Sequence, residues 1–242
     1  MEVFIFENKK ELFENLAKKY VDAINKNPNI KLGLATGSTP VPLYAALIKD
    51  HQVNKTSYKD VSTFNLDEYI GLSEGHEQSY RTFMNKTFFN HIDIKLTNTH
   101  IPSGSAKDLK LEAKAYDELL KENQIDIQLL GIGTNAHIGF NEPGSDFDSE
   151  TIIVDLAKET KDANVRFFSS MDEVPTKAIT MGIGSILKAK KIILVATGSN
   201  KAKAIKNTIE GKVTTDVPAS ILQKHPNVEI YLDKDAAKLL NK

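Results

Sequence analysis

Apolar and polar residues alternate along this 242-residue chain in two patterns that recur from one end to the other. The first is a short apolar run, as in Glu2–Phe6, which predicts a strand. The second follows at once: Asn8 and Glu11 resemble a capping box, and apolar residues then recur every four positions through Leu12–Ile24. This spacing predicts an amphipathic helix that ends near Pro28.

Further strands and helices alternate along the rest of the chain. Strands are predicted at Ile30–Ala35, Asp60–Asn65, Asp126–Gly131, Thr151–Asp155, Lys177–Met181, Lys191–Ala196 and Val228–Leu232. Helices are predicted at Pro40–Lys49, Glu77–Phe88, Ala106–Asn123, Gly182–Ala189, Asn200–Glu210 and Lys234–Leu240. Strands that are apolar on both faces and alternate with helices indicate a mostly parallel sheet covered on both sides. No linker-like segment divides the chain, so we predict one α/β domain over residues 1–242.

In open α/β sheets, ligands bind in the loops that follow the strands, and one such loop sequence, ATGS, occurs twice. In the first copy, Ser38 or Thr39 is expected to cap the next helix, with Pro40 in its first turn. Gly37 would let backbone amides face an anion, most often a phosphate. The alternative is a plain helix cap. The chain contains neither a Walker motif nor a dinucleotide fingerprint.

The second ATGS copy leads into Lys201. A lysine in the first turn of a helix opposes the helix dipole unless an anion is bound nearby. A bound phosphate would supply that anion. The alternative is an exposed lysine whose ammonium points to water.

Two adjacent carboxylates, Asp67 and Glu68, follow a predicted strand in the segment VSTFNLDEYIGL. Such a pair could act as a general base and its orienting partner. A solvated turn or a helix cap is the other interpretation, although the flanking apolar residues argue against full exposure.

The loop with the most polar groups and glycines is LLGIGTNAHIGFNEPGSDF, which contains Asn135, His137 and Glu142. A histidine can accept a proton at neutral pH, and a nearby carboxylate can orient it, so we favour a catalytic role over a structural one. The loop has no His-x-x-x-His or comparable spacing, so no metal site is predicted.

Arg166 stands next to two aromatic residues in DANVRFFSS, where it could form an ion pair or bind a phosphate with two hydrogen bonds. The polar stretch Lys158–Pro175 that surrounds it has few periodic apolar positions, so we expect a mobile insertion there.

Composition narrows the range of partners. Lys and Arg total 31 against 32 Asp and Glu, a net charge of −1 that gives no electrostatic reason to expect nucleic acid or a membrane surface. The chain has no cysteine, which excludes disulfides, thiolate metal sites and a cysteine nucleophile. Neither a signal sequence nor a membrane-spanning run is evident, so we expect a cytoplasmic protein.

Taken together, these loops resemble the glucosamine-6-phosphate deaminase family, within the wider superfamily of sugar-phosphate isomerases and lactonases. The matching segments are GLATGSTPVPLY, STFNLDEYIGL, QSYRTFMNKTFF, GIGTNAHIGFNEPGS, ANVRFF, ITMGIGSIL, ATGSNKAKAI and PASILQKHPNVEIYLD. They occur in the order typical of the family and span nearly the whole chain. The resemblance implies a modified Rossmann-like fold and the conversion of glucosamine 6-phosphate to fructose 6-phosphate and ammonia, with no metal or coenzyme.

The resemblance also implies roles for individual residues. Asp67 would move a proton between C2 and C1 of the opened sugar, and His137, tuned by Glu142, would catalyse ring opening. The phosphate would be held by residues of two loops and the insertion: Thr36, Gly37, Ser38, Thr39, Arg166 and Lys201. The segment at about 156–176 would form a lid over the sugar.

One residue departs from the family pattern, because many members carry Asp where this chain has Asn135. The amide oxygen can still accept a hydrogen bond from the imidazole, but it brings no charge. We therefore predict a less basic His137 that relies more on Glu142.

Longer members of the family have C-terminal segments that help to form hexamers and an allosteric site. This chain ends soon after Leu232, so we expect a monomer or a small homo-oligomer without that regulation. Three alternatives stay open: a galactosamine-6-phosphate deaminase, a 6-phosphogluconolactonase and a non-catalytic sugar-phosphate sensor. Retention of Asp67, His137 and Glu142, and the run Asn141-Glu142-Pro143 that lactonases lack, favour the glucosamine-6-phosphate deaminase.

Overall fold

The computed structural model describes residues 1–73, 75–156, 165, 168 and 173–241. Within these ranges the main feature is a seven-stranded sheet whose paired strands are all parallel. This arrangement confirms the predicted α/β class with a mostly parallel central sheet.

The strand boundaries agree closely with the apolar runs. In spatial order from one edge to the other, the central sheet consists of β1 (Glu2–Phe6), β10 (Val228–Asp233), β9 (Lys191–Ala196), β6 (Ile127–Leu130), β2 (Lys31–Leu34), β3 (Ser62–Asn65) and β5 (Thr99–His100). All of these strands except the two-residue β5 were predicted. Every residue of β10 is buried, as are the last five of β9, so both faces of the sheet are covered there.

Helices connect the strands and pack against the sheet. They are α1 (Lys9–Lys26), α2 (Val41–Asn54), α3 (Tyr80–Thr87), α4 (Leu109–Glu122), α5 (Ile183–Ile186), α6 (Ala202–Glu210) and α7 (Lys234–Ala237). Short 3₁₀ turns lie at Phe89–His91, Leu96–Asn98, Ser199–Lys201 and Pro218–Lys224. None of the described helices is both long and apolar enough to span a bilayer.

Helix α1 shows how the sequence pattern produces these elements. The Asn8 side chain accepts a hydrogen bond from the Glu11 amide at 3.1 Å, and the Glu11 carboxylate accepts one from the Glu7 amide. The predicted cap is therefore confirmed. The apolar stripe is buried against the core at Leu12, Phe13, Leu16, Ala17, Tyr20 and Ile24.

A second, antiparallel sheet differs from the expectation of one parallel sheet. It consists of β4 (Asp67–Tyr69), β8 (Lys177–Thr180) and β7 (Ile152–Asp155), with β8 in the middle. Strand β4 was not predicted, because it has only three residues and begins one residue after β3 ends. Its pairing with β8 comes from a distant part of the chain, so no local pattern indicates it.

Candidate active site

A cavity of about 560 Å³ lies at the carboxyl ends of the central strands. Loops after β2, β3, β6 and β9 line it, as expected for an open α/β sheet. Most of the residues predicted from the sequence meet here: Thr36, Gly37, Ser38, Thr39, Asp67, Asn135, His137 and Lys201. Arg166 and most of the predicted lid at 156–176 lie outside the described residues.

The first ATGS turn presents its backbone to this cavity. Gly37 has φ +85°, and a Cβ placed on it would meet no atom within 4 Å. Within the described ranges, no hydrogen bond from the amides of Gly37, Ser38 and Thr39 is formed. These free donors, beside a helix that begins at Val41, make the turn a ready anion site.

The expected helix cap in this turn is wrong. Neither Ser38 nor Thr39 caps α2, because the N-cap residue is Pro40 and it makes no side-chain cap hydrogen bond. Pro40 thus lies one position before the first turn, where Pro42 lies instead. The two hydroxyl groups are left to line the cavity.

Lys201 reaches the same cavity from the second ATGS turn. The side chain is half-buried, and the loss of water around it lowers the pKa of its ammonium group. No described carboxylate forms an ion pair with Lys201. Lys201 and the amides of the first turn line the same cavity, and this combination of a partly desolvated cation and open amide donors is suited to an anion.

Asp67 forms part of the cavity wall and is only 6% exposed. Burial, and secondarily the negative charge of Glu68, raise the pKa of Asp67 to about 8. Among the described residues, no hydrogen-bond donor stabilises its carboxylate. Such a carboxyl group can exchange a proton with a bound molecule near neutral pH.

Glu68 points away from this cavity, so it is not the direct orienting partner of Asp67 that the adjacent carboxylates suggested. Its carboxylate accepts hydrogen bonds from the amides of Tyr69 at 2.9 Å, Tyr80 at 2.8 Å and Arg81 at 3.0 Å. The alternative interpretation, a helix cap, is the one observed, since Tyr80 and Arg81 begin α3.

The loop after β6 places the imidazole of His137. The Gly133 amide donates to the His137 carbonyl at 2.9 Å, and the Ala136 amide donates to the Gly133 carbonyl at 3.1 Å. A Cβ at Gly133 would lie 2.3 Å from the imidazole Cε1, so only glycine leaves room for the ring. The glycine at position 133 thus has a direct steric cause.

His137, Glu142 and Asn135 form a connected group. The imidazole Nδ1 lies 3.3 Å from Glu142 Oε1, but without the alignment of a hydrogen bond. The Asn135 amide group donates to Glu142 Oε2 at 2.6 Å, and its oxygen accepts from the backbone amide of His137 at 3.2 Å. The expected bond from the imidazole to Asn135 is therefore not formed, and Asn135 instead holds Glu142 beside the ring.

Sequence reasoning missed two residues of the site. Tyr80 lines the cavity, stacks on Phe140 with ring centroids 6.2 Å apart, and its hydroxyl interacts with the Thr36 side chain. Asn141 is fully buried and donates to the carbonyls of Ile138 and Met181, both at 2.9 Å, which ties the His137 loop to the segment after β8. Both residues lie in segments that resemble the family, and this resemblance is the signal in the sequence that could have identified them.

The described residues include no group of three or more His, Cys, Asp or Glu side chains that could hold a metal ion. The cavity brings together open backbone amides, the buried carboxyl group of Asp67 and the imidazole of His137, with Glu142 beside the ring.

Comparisons with known proteins agree with this arrangement. Residues 7–231 match the family described as glucosamine-6-phosphate isomerases/6-phosphogluconolactonase. The chain is 54% identical over 242 residues to a glucosamine-6-phosphate deaminase from Clostridium botulinum (strain Alaska E43 / Type E3), which covers 100% of this chain and 97% of that protein.

Solved structures show the same relationship. A monomeric glucosamine-6-phosphate deaminase superposes with a TM-score of 0.96 at 45% identity, over 99% of this chain and 100% of that one. A 6-phosphogluconolactonase from Trypanosoma brucei has a TM-score of 0.81 at 19% identity, over 99% of this chain and 98% of the other. The second likeness concerns the fold alone.

Proposed function

The chain belongs to the family of glucosamine-6-phosphate isomerases and 6-phosphogluconolactonases, and we propose that it converts glucosamine 6-phosphate and water to fructose 6-phosphate and ammonia. One observation carries this proposal: a buried carboxyl group, Asp67, shares a cavity with a two-sided anion site and with His137. An aldose–ketose isomerisation of a sugar phosphate needs these three elements. The 54% identity to a protein named for this activity supports the choice.

The phosphate occupies the space between the two ATGS turns. The amides of Gly37–Thr39 and the hydroxyl groups of Ser38 and Thr39 donate to its oxygens, and Lys201 neutralises part of its charge. Arg166 remains a predicted third contact. Binding energy gained at the phosphate orients the reacting carbons at the other end of the sugar.

Ring opening requires a proton to move between O5 and O1. His137 is the group in the cavity suited to this transfer, and Glu142, 3.3 Å from Nδ1, orients the ring. Asn135 keeps Glu142 in place through its 2.6 Å hydrogen bond.

Asp67 then transfers a proton from C2 to C1 of the opened sugar. Its ionised form removes the C2 proton, and the resulting carboxylic acid delivers a proton to C1, while a proton of the amino group passes to O1. The product has a hydroxymethyl group at C1 and an imine at C2. Water adds to the imine and ammonia departs, so one water is consumed for each ammonia released. Because the pKa of Asp67 in the free protein is raised to about 8, kcat/KM should rise with pH until this group is ionised.

Other members of the superfamily provide the competing proposals. Identity of 45–54% to deaminases, against 19% to a lactonase, favours the deaminase over the lactonase. Galactosamine 6-phosphate, which differs from glucosamine 6-phosphate only in the configuration at C4, is tested as a second amino-sugar substrate. A non-catalytic sensor would bind the sugar phosphate without releasing ammonia.

The test is to measure ammonia and fructose 6-phosphate from the purified protein given glucosamine 6-phosphate, with and without a chelator. Galactosamine 6-phosphate and 6-phosphogluconolactone serve as parallel substrates. We expect equimolar ammonia and fructose 6-phosphate, unaffected by the chelator. Hydrolysis of the lactone without ammonia release from either amino sugar would contradict the proposal, as would binding without turnover.

A further inference from the structure

Asp67 and Glu68 are neighbours on β4, and their side chains lie on opposite faces because successive residues of a strand alternate. Asp67 lines the active-site cavity, whereas Glu68 lines a separate cavity of about 240 Å³. Glu68 is nevertheless only 6% exposed. A buried carboxylate outside the reacting pocket needs partners of its own.

Those partners tie one strand to one helix. Oε1 of Glu68 accepts from the amides of Tyr69 and Tyr80, and Oε2 accepts from the amide of Arg81. Tyr80 and Arg81 are the first two residues of α3, where amides have no partner within the helix. Ser79 caps the next amide, that of Thr82, at 3.1 Å. Glu68 and Ser79 together satisfy the start of α3.

Helix α3 carries Tyr80 into the active-site wall. The Tyr80 ring lies 4.7 Å from that of Tyr69, measured between centroids, and its hydroxyl interacts with Thr36 of the phosphate-binding turn. One carboxylate therefore connects the strand that bears Asp67, the helix that bears Tyr80 and, through Tyr80, the first ATGS turn.

We propose that Glu68 is a positioning residue for the deamination: its carboxylate fixes α3 against β4 and thereby holds Asp67 and Tyr80 in register on one wall of the active site. This inference rests on the proposed function, because it assigns Glu68 a part in that reaction. It adds a residue that touches none of the reacting atoms.

The electrostatics of the pair agree with this assignment. Burial raises the pKa of Glu68 as well, but its three amide donors and the Arg81 guanidinium oppose that rise, whereas Asp67 has no donor among the described residues. The negative charge of the pair is therefore better stabilised on Glu68 than on Asp67. The charge of Glu68 contributes to the raised pKa of Asp67. The other titratable groups around Asp67 are Tyr69 on β4, Tyr80 on α3, Tyr116 on α4 and, across the cavity, His137 and Lys201.

Two substitutions separate the geometric from the electrostatic contribution. Glu68→Asp keeps the charge but shortens the reach to α3, and Glu68→Gln keeps the length but removes the charge. Glu112→Gln is the matched control, because Glu112 also accepts a backbone amide, that of Ser103 at 2.8 Å, on a loop outside the active-site cavity. The measurements are kcat and KM against pH, together with an NMR titration of the Asp67 side-chain carboxyl carbon.

For Glu68→Asp we expect kcat to fall on the order of 10- to 100-fold while KM and the acid limb of the pH profile stay near their wild-type values. For Glu68→Gln we expect a similar fall in kcat, and the acid limb and the Asp67 titration both move down by roughly one pH unit. Glu112→Gln should match the wild type in kcat, in KM and in the pH at which Asp67 titrates.

Wild-type kcat in Glu68→Asp would overturn the proposal, and so would an unmoved Asp67 titration in a folded Glu68→Gln protein. If Glu68→Gln does not fold, the kcat of Glu68→Asp alone tests the proposal: a reduced kcat supports it and a wild-type kcat overturns it. Absence of ammonia release by the wild type would instead refute the proposed function, and the NMR titration distinguishes that result from a failure of the Glu68 proposal.

Discussion

The two ATGS turns have the same four residues and nearly the same backbone, yet they contribute differently to the site. Each follows a central strand, and their glycines have φ of +85° at Gly37 and +90° at Gly198. The first turn leaves its amides open to the cavity, whereas the Gly198 amide donates to both oxygens of Asp233 at 3.0 Å. The second turn thus contributes the side chain of Lys201 rather than its backbone.

The carboxylates beside the two turns explain this difference. Asp233 also accepts a hydrogen bond from the Ala236 amide at 2.8 Å. Both of its carboxylate oxygens therefore accept hydrogen bonds, from the start of α7 and from the second turn. Asp67, which shares the cavity with the first turn, has no such donors among the described residues. A satisfied carboxylate stabilises the fold, and an unsatisfied one retains a proton that it can exchange.

The largest effect is expected from the cation of the second turn. Lys201→Met should lower kcat/KM for glucosamine 6-phosphate by about 100- to 1,000-fold, mainly through KM, because a charge-assisted contact to the phosphate is lost. Lys203→Met is the control, since Lys203 is exposed and lies two residues further along the chain, in the first turn of α6. Equal KM values for the two variants in steady-state kinetics would remove Lys201 from the phosphate site.

The next effect concerns the pH dependence of stability. The pKa of Asp67 is raised to about 8 on folding, so the folded state holds a proton that the unfolded chain has released above its ordinary pKa of 3.8. Stability from this group is therefore full below pH 4 and is lost as the pH rises through about 8. Asp67→Asn should be more stable than the wild type by on the order of 5 kcal/mol at pH 8, and by only about 1–2 kcal/mol at pH 5.

Chemical denaturation of both proteins at the two pH values measures this difference. A wild-type advantage that grows toward pH 8 would show that Asp67 is charged and well solvated in the folded protein.

Alanine at the two glycines compares the turns directly. Both Gly37→Ala and Gly198→Ala place a side chain at positive φ, so each should lower the free energy of unfolding by about 1–2 kcal/mol. Only Gly37→Ala should also raise KM, by roughly 10-fold, since only the first turn offers its amides to the phosphate. Thermal melts and steady-state kinetics on the pair provide the comparison, and a matching rise in KM for Gly198→Ala would refute it.

The smallest effect is expected from the carboxylate of the second turn. Asp233→Ala should lower the free energy of unfolding by about 1 kcal/mol, because the α7 cap and the Gly198 amide lose their acceptor. KM and kcat should change by less than about twofold, since Asp233 caps a helix and contacts no reacting group. A large rise in KM with unchanged stability would show that Asp233 acts in substrate binding and not in stabilising the fold.

Much of the fold was predictable from the sequence where the signal is local. The apolar runs predict β1 and β9 at their observed bounds, and Asn8 with Glu11 predicts the start of α1. Helix α2 continues to Asn54, beyond the predicted end at Lys49, because the polar residues of its last turn add no apolar periodicity. Strand β4 was missed since its partner β8 lies far away along the chain.

The candidate site likewise contains residues that the local sequence indicates and residues whose roles depend on how distant elements pack together. Residue type and loop position made Asp67, His137 and the first ATGS turn candidates, and the family resemblance favoured their functional over their structural interpretation. The roles of Glu68 and Tyr80 depend on how α3 packs against β4, which no local pattern specifies. Asn135 was selected correctly as a neighbour of His137 and Glu142, but its bonding direction required the folded loop.

The central claim is that the unsatisfied carboxyl group beside the first turn performs the proton transfer. The most direct measurement is ammonia release from glucosamine 6-phosphate by Asp67→Asn, with substrate binding measured on the same preparation. We predict a Kd within a few-fold of the wild-type value and a rate of ammonia release at least about 1,000-fold lower. Ammonia release at a tenth of the wild-type rate or faster would contradict the account.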